Sequence, residues 1–171
     1  PYLITSTDEL NAMRQDLAAH YRLESDIDLS ATVIWNNGQG WIPVGDAGTP
    51  FTGTLDGADH IIRNLAVNRP AESIQGLFGY LDGAAIHRLT LEDISVIGNS
   101  QTGGLAGQAV NSTIEDISVS GRISGTTSGN SIGGLGGRVE GGSIHNCFSA
   151  ASVKGVSRSG GLVGFGADDL V

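Results

Sequence analysis

Apolar residues fall in short alternating runs along most of this chain. Ile86, Leu89 and Leu91 are followed by Val96, and Ile114, Ile117 and Val119 by Ile123. Each run is bounded by Gly, Ser, Asn and Asp, a pattern that reads as short strands between tight turns. Only the start of the chain holds a helical period. Residues 6–9 read Ser-Thr-Asp-Glu, with Ser6 placed to cap and Glu9 to reach back, and Leu10, Met13, Leu17 and Tyr21 share one face. This predicts a helix from about Thr7 to His20 between strands Tyr2–Ile4 and Tyr21–Leu23.

The runs repeat. Leu77, Leu105, Leu135 and Leu162 lie in GLFG, GGLAG, GGLGG and GGLVG cores, 28, 30 and 27 residues apart. Ile86, Ile114 and Ile144 each follow such a leucine by nine residues, and Ile62 opens the series as IRNL against IHRL, IEDI and IHNC. Constant spacing in one part of a unit and variable spacing in another marks a structural repeat. Such a unit cannot bury its apolar face alone, but stacked in parallel on its copies at about 4.8 Å it can. The expected fold is all-β: a parallel β-solenoid (β-helix) of 27–30-residue coils with one N-terminal capping or flanking α-helix. Leu65, Leu89, Ile117 and Cys147 should form one internal ladder, and Arg63, His87, Glu115 and His145 an external one. Gly79, Gly107, Gly137 and Gly164 should serve tight corners or close backbone approach.

Composition narrows the class. Glycine supplies 27 of 171 residues, without a collagen period, and one cysteine excludes an internal disulfide framework. No apolar run reaches the roughly 18 residues of a membrane span. The net charge of −9 disfavours nucleic acid or an anionic membrane surface as partner. Residues 1–60 hold nine acids and two bases, residues 61–171 nine and seven. The division suggested is an N-terminal helix with irregular first coils over 1–60, and regular repeats over 61–171, within one domain.

The GGLAG, GGLGG and GGLVG cores, each with its strand nine residues on where the chain continues, resemble the GLUG repeat. YRLESDIDLS at 21–30, WIPVG at 41–45 and FTGTLDGADHIIRNL at 51–65 look like the lead-in common before such repeats. The first copy departs, with Gln75 at the leading glycine and Phe78 adding bulk. The resemblance implies a structural element of large bacterial secreted or surface proteins, including adhesin-like chains and some immunoglobulin-cleaving metallopeptidases. It carries no catalytic residues to transfer.

Candidate chemistry is sparse. Asp56, Asp59, His60 and Arg63 cluster before the first regular coil, where a carboxylate pair could act on a sugar bond. Asp56-Gly57 recurs as Asp82-Gly83, however, which favours a turn. Glu24, Asp26 and Asp28 offer hard oxygens for calcium but alternate with Ile27 and Leu29 as solvent-facing acids. His87 and His145 flank Glu115, yet at two coil spacings they stand too far apart for one zinc ion. Cys147 reads as a packed thiol. Trp35 and Trp41 fill space near the first coil, and with Asp56, Asp59 and His60 they are the candidate ligand contacts.

These readings point to a non-catalytic structural or adhesive segment, secreted or on a bacterial surface, without metal or cofactor. The alternative is an accessory substrate- or glycan-binding module of a secreted enzyme. Expected partners are a host or neighbouring-cell protein or glycan, and further repeats of the same chain. Val171 stands nine residues after Leu162, which suggests a longer parent and weak end-to-end self-association, with Asp168 and Asp169 discouraging edge pairing.

Overall fold

The computed structural model describes residues 1–126, 128–168 and 170–171. The chain is a parallel β-solenoid of about four turns. The long face stacks Tyr2–Ile4, His20–Leu23, Thr54–Asp56, Ala85–Gly98, Thr113–Gly125 and Ser143–His145 in that order. A second face holds Thr102–Gly103, Asn130–Gly133 and Ser157–Gly160. The third holds Phe78–Asp82, Ala106–Val110, Gly136–Glu140 and Val163–Ala167. Stacking begins with the first strand, so residues 1–60 contribute coils of the same sheet rather than a separate layer.

Alternation explains the faces. Side chains two apart along a strand share a side, so one set fills the coil and the other meets solvent. Leu55, Ile86 and Ile114 are fully buried and directly stacked, and Ile144 stands above them half-buried. Val67, Val96, Ile123 and Val153 form a second column. Leu77, Leu105 and Leu135 are buried one above another, and the Leu135 amide donates to Leu162 O at 2.8 Å. Leu162 and Ile144 are only partly covered because they lie in the last coil.

Two sequence expectations shift register in the first coil. Ile62 sits beneath Leu91, and Leu55 is the residue beneath Ile86. Arg63 accordingly stands beneath Glu92, so the external ladder runs Arg22, Asp56, His87, Glu115, His145. Leu65 moves with it, bonded through its carbonyl to the Ser95 amide rather than lying under Leu89. The IRNL run matches IHRL in residue type but follows the Gly57–His60 corner and stacks five positions further along the coil than that match implies. Ala58 and Asp59 there take φ of 49° and 66°, and His60 N–H donates to Gly57 O at 2.8 Å. Gln75 likewise bridges to Thr102 rather than to a glycine, because its coil is one glycine short at this bend.

The third-face glycines have ordinary φ values; what they provide is contact between backbones. A methyl on Gly107 would collide with the backbone of Ile74 and Gln75, on Gly137 with Gln101 and Thr102, and on Gly164 with Ser131 and Ile132. Each glycine thus lets the third face close onto the second with no side chain between them.

The helix is shorter than its apolar period suggests. It spans Thr7–Ala12 and tightens to a 3-10 turn at Met13–Gln15. Asp16 ends it in extended geometry, and its carboxylate accepts the Ala18 N–H at 3.2 Å, a local bond that competes with further helix. Ser6 caps through its hydroxyl, while Glu9 reaches Thr5 N–H at 2.7 Å, one residue earlier than a capping box requires. Leu10 and Met13 bury against the first coil. The strand Tyr2–Ile4 is the outermost rung, with Tyr2 62% and Leu3 55% exposed. Asp168 lies at a corner with φ 56°, and Asp169 falls outside the described residues.

Candidate functional site

The five candidate contact residues separate into three groups. Trp41 is fully buried, donating its indole N–H to Leu77 O at 3.1 Å. Trp35 stacks on it, ring centroids 6.2 Å apart and planes 19° from parallel. The Arg14 guanidinium lies 5.4 Å from the Trp41 ring and is pinned by Asn11 and Ile42 carbonyls. Burial lowers the Arg14 pKa from its ordinary value. A shallow recess of about 330 Å³, lined by Asn11, Arg14, Trp35, Asn36 and Ile42, opens beside the Trp35 ring. Trp41 is therefore a packing residue, and Trp35 is the member of the pair that borders the recess.

Asp56 ends its strand beneath His87, where the Arg88 corner brings a guanidinium over it. Arg88 donates from Nε at 3.1 Å and from a terminal nitrogen at 2.5 Å, a bidentate pair. Ala58 N–H donates to the same carboxylate at 2.8 Å, closing a local turn. Partial burial would raise the Asp56 pKa, but Arg88 and the Ala58 amide outweigh it and hold the group below the usual carboxylate range. Asp59 is largely exposed and approaches the same Arg88 at 3.6 Å. A depressed, doubly bonded carboxylate suits an ion pair and makes a poor general acid.

His60 belongs elsewhere. Its Nδ1 lies 3.2 Å from Asp26, which also accepts the Ile61 N–H at 3.0 Å and Arg63 at 3.2 Å. The Ile61 amide, helped by His60 and Arg63, lowers the Asp26 pKa. Asp28 turns to Asn64 at 2.9 Å and to the Ser30 N–H at 2.9 Å, and Glu24 to Arg22 at 3.3 Å. These three acids are thus spread over three sets of partners, with only Asp28 inside a strand. Among the described residues no three His, Cys, Asp or Glu side chains gather as metal ligands.

Cys147 lies above Ile117, half-buried, its Sγ 3.2 Å from His145 O, and burial raises its pKa. Two features had no counterpart in the sequence reading. Arg88 is the organising cation for Asp56, although its position one coil later in the chain is the available signal. On the third face Arg138 approaches the Phe165 ring at 5.1 Å, and Arg158 reaches the same ring from the second face at 4.7 Å.

The family model described as the M26 IgA1-specific metallo-endopeptidase N-terminal region matches residues 4–121, and the GLUG motif matches residues 128–154. Halomucin of Haloquadratum walsbyi is 41% identical over 160 residues, which cover 88% of this chain and 2% of halomucin. An immunoglobulin A1 protease of Streptococcus sanguinis is 28% identical over 162 residues, 91% of this chain and 8% of that protein. A crystal structure of a candidate immunoglobulin A1 protease from Bacteroides ovatus superposes with a TM-score of 0.55 at 20% identity. The superposition covers 99% of this chain and 63% of that one. The last comparison shows the fold alone. The chain spans a small fraction of the lengths of the first two relatives.

Proposed function

The chain belongs to the family of M26 IgA1-specific metallo-endopeptidase N-terminal regions, and from that premise we propose that it is a non-catalytic spacing segment of a much longer secreted or cell-surface protein. One observation carries the reading: Asp26, Asp28 and Asp56, the acids at the centre of the candidate chemistry, are engaged by groups of the neighbouring coil. Asp56 serves Arg88, Asp26 serves Ile61, His60 and Arg63, and Asp28 serves Asn64. Groups consumed in holding neighbouring coils together are not poised around a substrate. Solenoids extend by adding coils, which suits a spacer or a display surface for adhesion.

The recess beside Trp35 supports a second reading, an accessory glycan- or substrate-binding module. Val33, Ile34 and Ile42 are exposed at or near it in the chain, and an aromatic ring bordered by amides is suited to a sugar face.

A whole-coil deletion separates a spacer from a site. Removing residues 113–142 joins Ser112 to Ser143, whose amide already donates to Ser112 O at 3.0 Å. The shortened chain should keep its strand signal and melt cooperatively. Neither version should cleave immunoglobulin A1 or a polysaccharide panel. Cleavage that vanishes in Asp56→Asn would overturn the proposal. Saturable glycan binding lost in folded Trp35→Ala would select the second reading.

A further inference from the structure

One surface corner combines an acceptor motif with room for a large substituent. The turn leaving each third-face strand is left-handed in four successive coils: Gly83, Asn111, Gly141 and Asp168 have φ of 63°, 48°, 61° and 56°. Glycine satisfies such a position without strain, and asparagine is the side chain that tolerates it best. Asn111 alone would need no further explanation. It is, however, followed by Ser112 and Thr113, giving Asn-Ser-Thr, the N-glycosylation acceptor pattern.

Five asparagines take left-handed φ among the described residues: Asn36, Asn37, Asn64, Asn111 and Asn146. Only Asn111 has Ser or Thr two residues on, and no other asparagine in the chain does. Backbone geometry therefore accounts for asparagine at these corners but not for Thr113. The surroundings are open. Asn111 and Thr113 are both exposed, while Ser112 between them is buried and bonded to Val110 O at 2.9 Å. Gly83 in the coil below has nothing within 4 Å of where a Cβ would stand. Gly141 in the coil above presents no side chain, and the Asn111 amide oxygen occupies that space. A saccharide on Asn111 would meet glycine on both sides along the stack.

We propose that Asn111 is an N-glycan acceptor. The side-chain amide nitrogen attacks the anomeric carbon of an oligosaccharide carried on a lipid phosphate or pyrophosphate. The sugar–oxygen bond breaks with the phosphate as leaving group, the C–N bond forms, and the amide proton passes to the transferase. This rests on the reading of the chain as an exported segment, because the modification is surface chemistry of secreted proteins.

The test is fractionation of the source cells, with mass spectrometry of the peptide carrying residue 111. Expected is extracellular protein whose Asn111 peptide carries hexose-type mass, lost in Thr113→Ala, with the melt of the unglycosylated protein unchanged. Thr113 contributes its backbone to the stack, through N–H to Ala84 O at 2.9 Å, so its side chain can be removed without touching the corner. Extracellular protein with bare Asn111 overturns this proposal alone. Protein confined to the cell interior overturns the exported reading and this proposal with it. Mass that persists in Thr113→Ala also overturns it, since the increment would then not depend on the acceptor motif.

Discussion

Three glycine-to-alanine substitutions separate the ways in which glycine builds this fold. Gly107 has ordinary φ, yet an added methyl would stand 2.6 Å from the Gln75 backbone nitrogen and closer still to Ile74. Backbone cannot swing aside as a side chain can, so the coil must separate from its neighbour. Overpacking of this kind costs about 1–3 kcal/mol, and a backbone clash belongs at the upper end or beyond. Gly83 has empty space around its Cβ position but φ of 63°, so alanine there should cost about 1–2 kcal/mol in strain alone. Gly161 has neither restraint, and alanine should stabilise by about 0.4–1 kcal/mol through the unfolded chain. At roughly 2–4 °C per kcal/mol for a chain of this size, Gly107→Ala should melt several degrees below wild type. Gly83→Ala should lie between them and Gly161→Ala slightly above. Calorimetry or circular dichroism melts give the order directly. If Gly107→Ala matches Gly161→Ala, the close approach of the second and third faces is wrong.

Four other outcomes follow from burial and ionisation. Ile114→Asp should unfold the chain by burying an unpaired charge, while Glu115→Ala, one residue along and exposed, should melt like wild type. Leu105→Ala should cost about 2–5 kcal/mol and Leu162→Ala clearly less, because the last coil is half covered; equal losses would refute the gradient. Asp26, Asp28 and Asp56 have folded pKa values below their unfolded ones. Their stabilisation is therefore complete above about pH 4 and lost as pH falls through the lowered values. Denaturant midpoints should fall in that window, less steeply in Asp56→Asn. Cys147 should alkylate more slowly at neutral pH than a free thiol, since burial raises its pKa; equal rates would contradict its packing.

Periodicity made the architecture legible because each leucine and isoleucine must land on the same inward column once per coil. Leu77, Leu105 and Leu135 reveal themselves by spacing alone. Ile62 and Leu65 misled because residue type repeats there while the run itself stacks five positions further along the coil, Ile62 beneath Leu91. A run that matches in residue type but occupies another part of the coil cannot be told apart without the partner strand. The helix was overextended for a related reason: Leu17 and Tyr21 continue the period, but Asp16 redirects the backbone and His20 is already paired beneath Thr54. The Asp56–Arg88 pair spans 32 residues, about one coil, so it was findable once the true register was known. Among candidate contacts, residue type suggested both tryptophans, whereas only burial distinguishes Trp41, locked inside, from Trp35 at the recess.

The parallel pairing from Tyr2 to Ala167 has a mechanical consequence. Hydrogen bonds between coils point along the stacking direction, so a tensile load on the two ends of the chain strips one outer coil before it strains the next. Rupture should be sequential peeling at modest force rather than simultaneous shearing of a sheet. Each released turn of about 28 residues would pay out roughly 95 Å of extended chain at about 3.4 Å per residue. Stretched between two anchors, such a segment yields in increments and rewinds from its intact remainder, which acts as template for the returning strand.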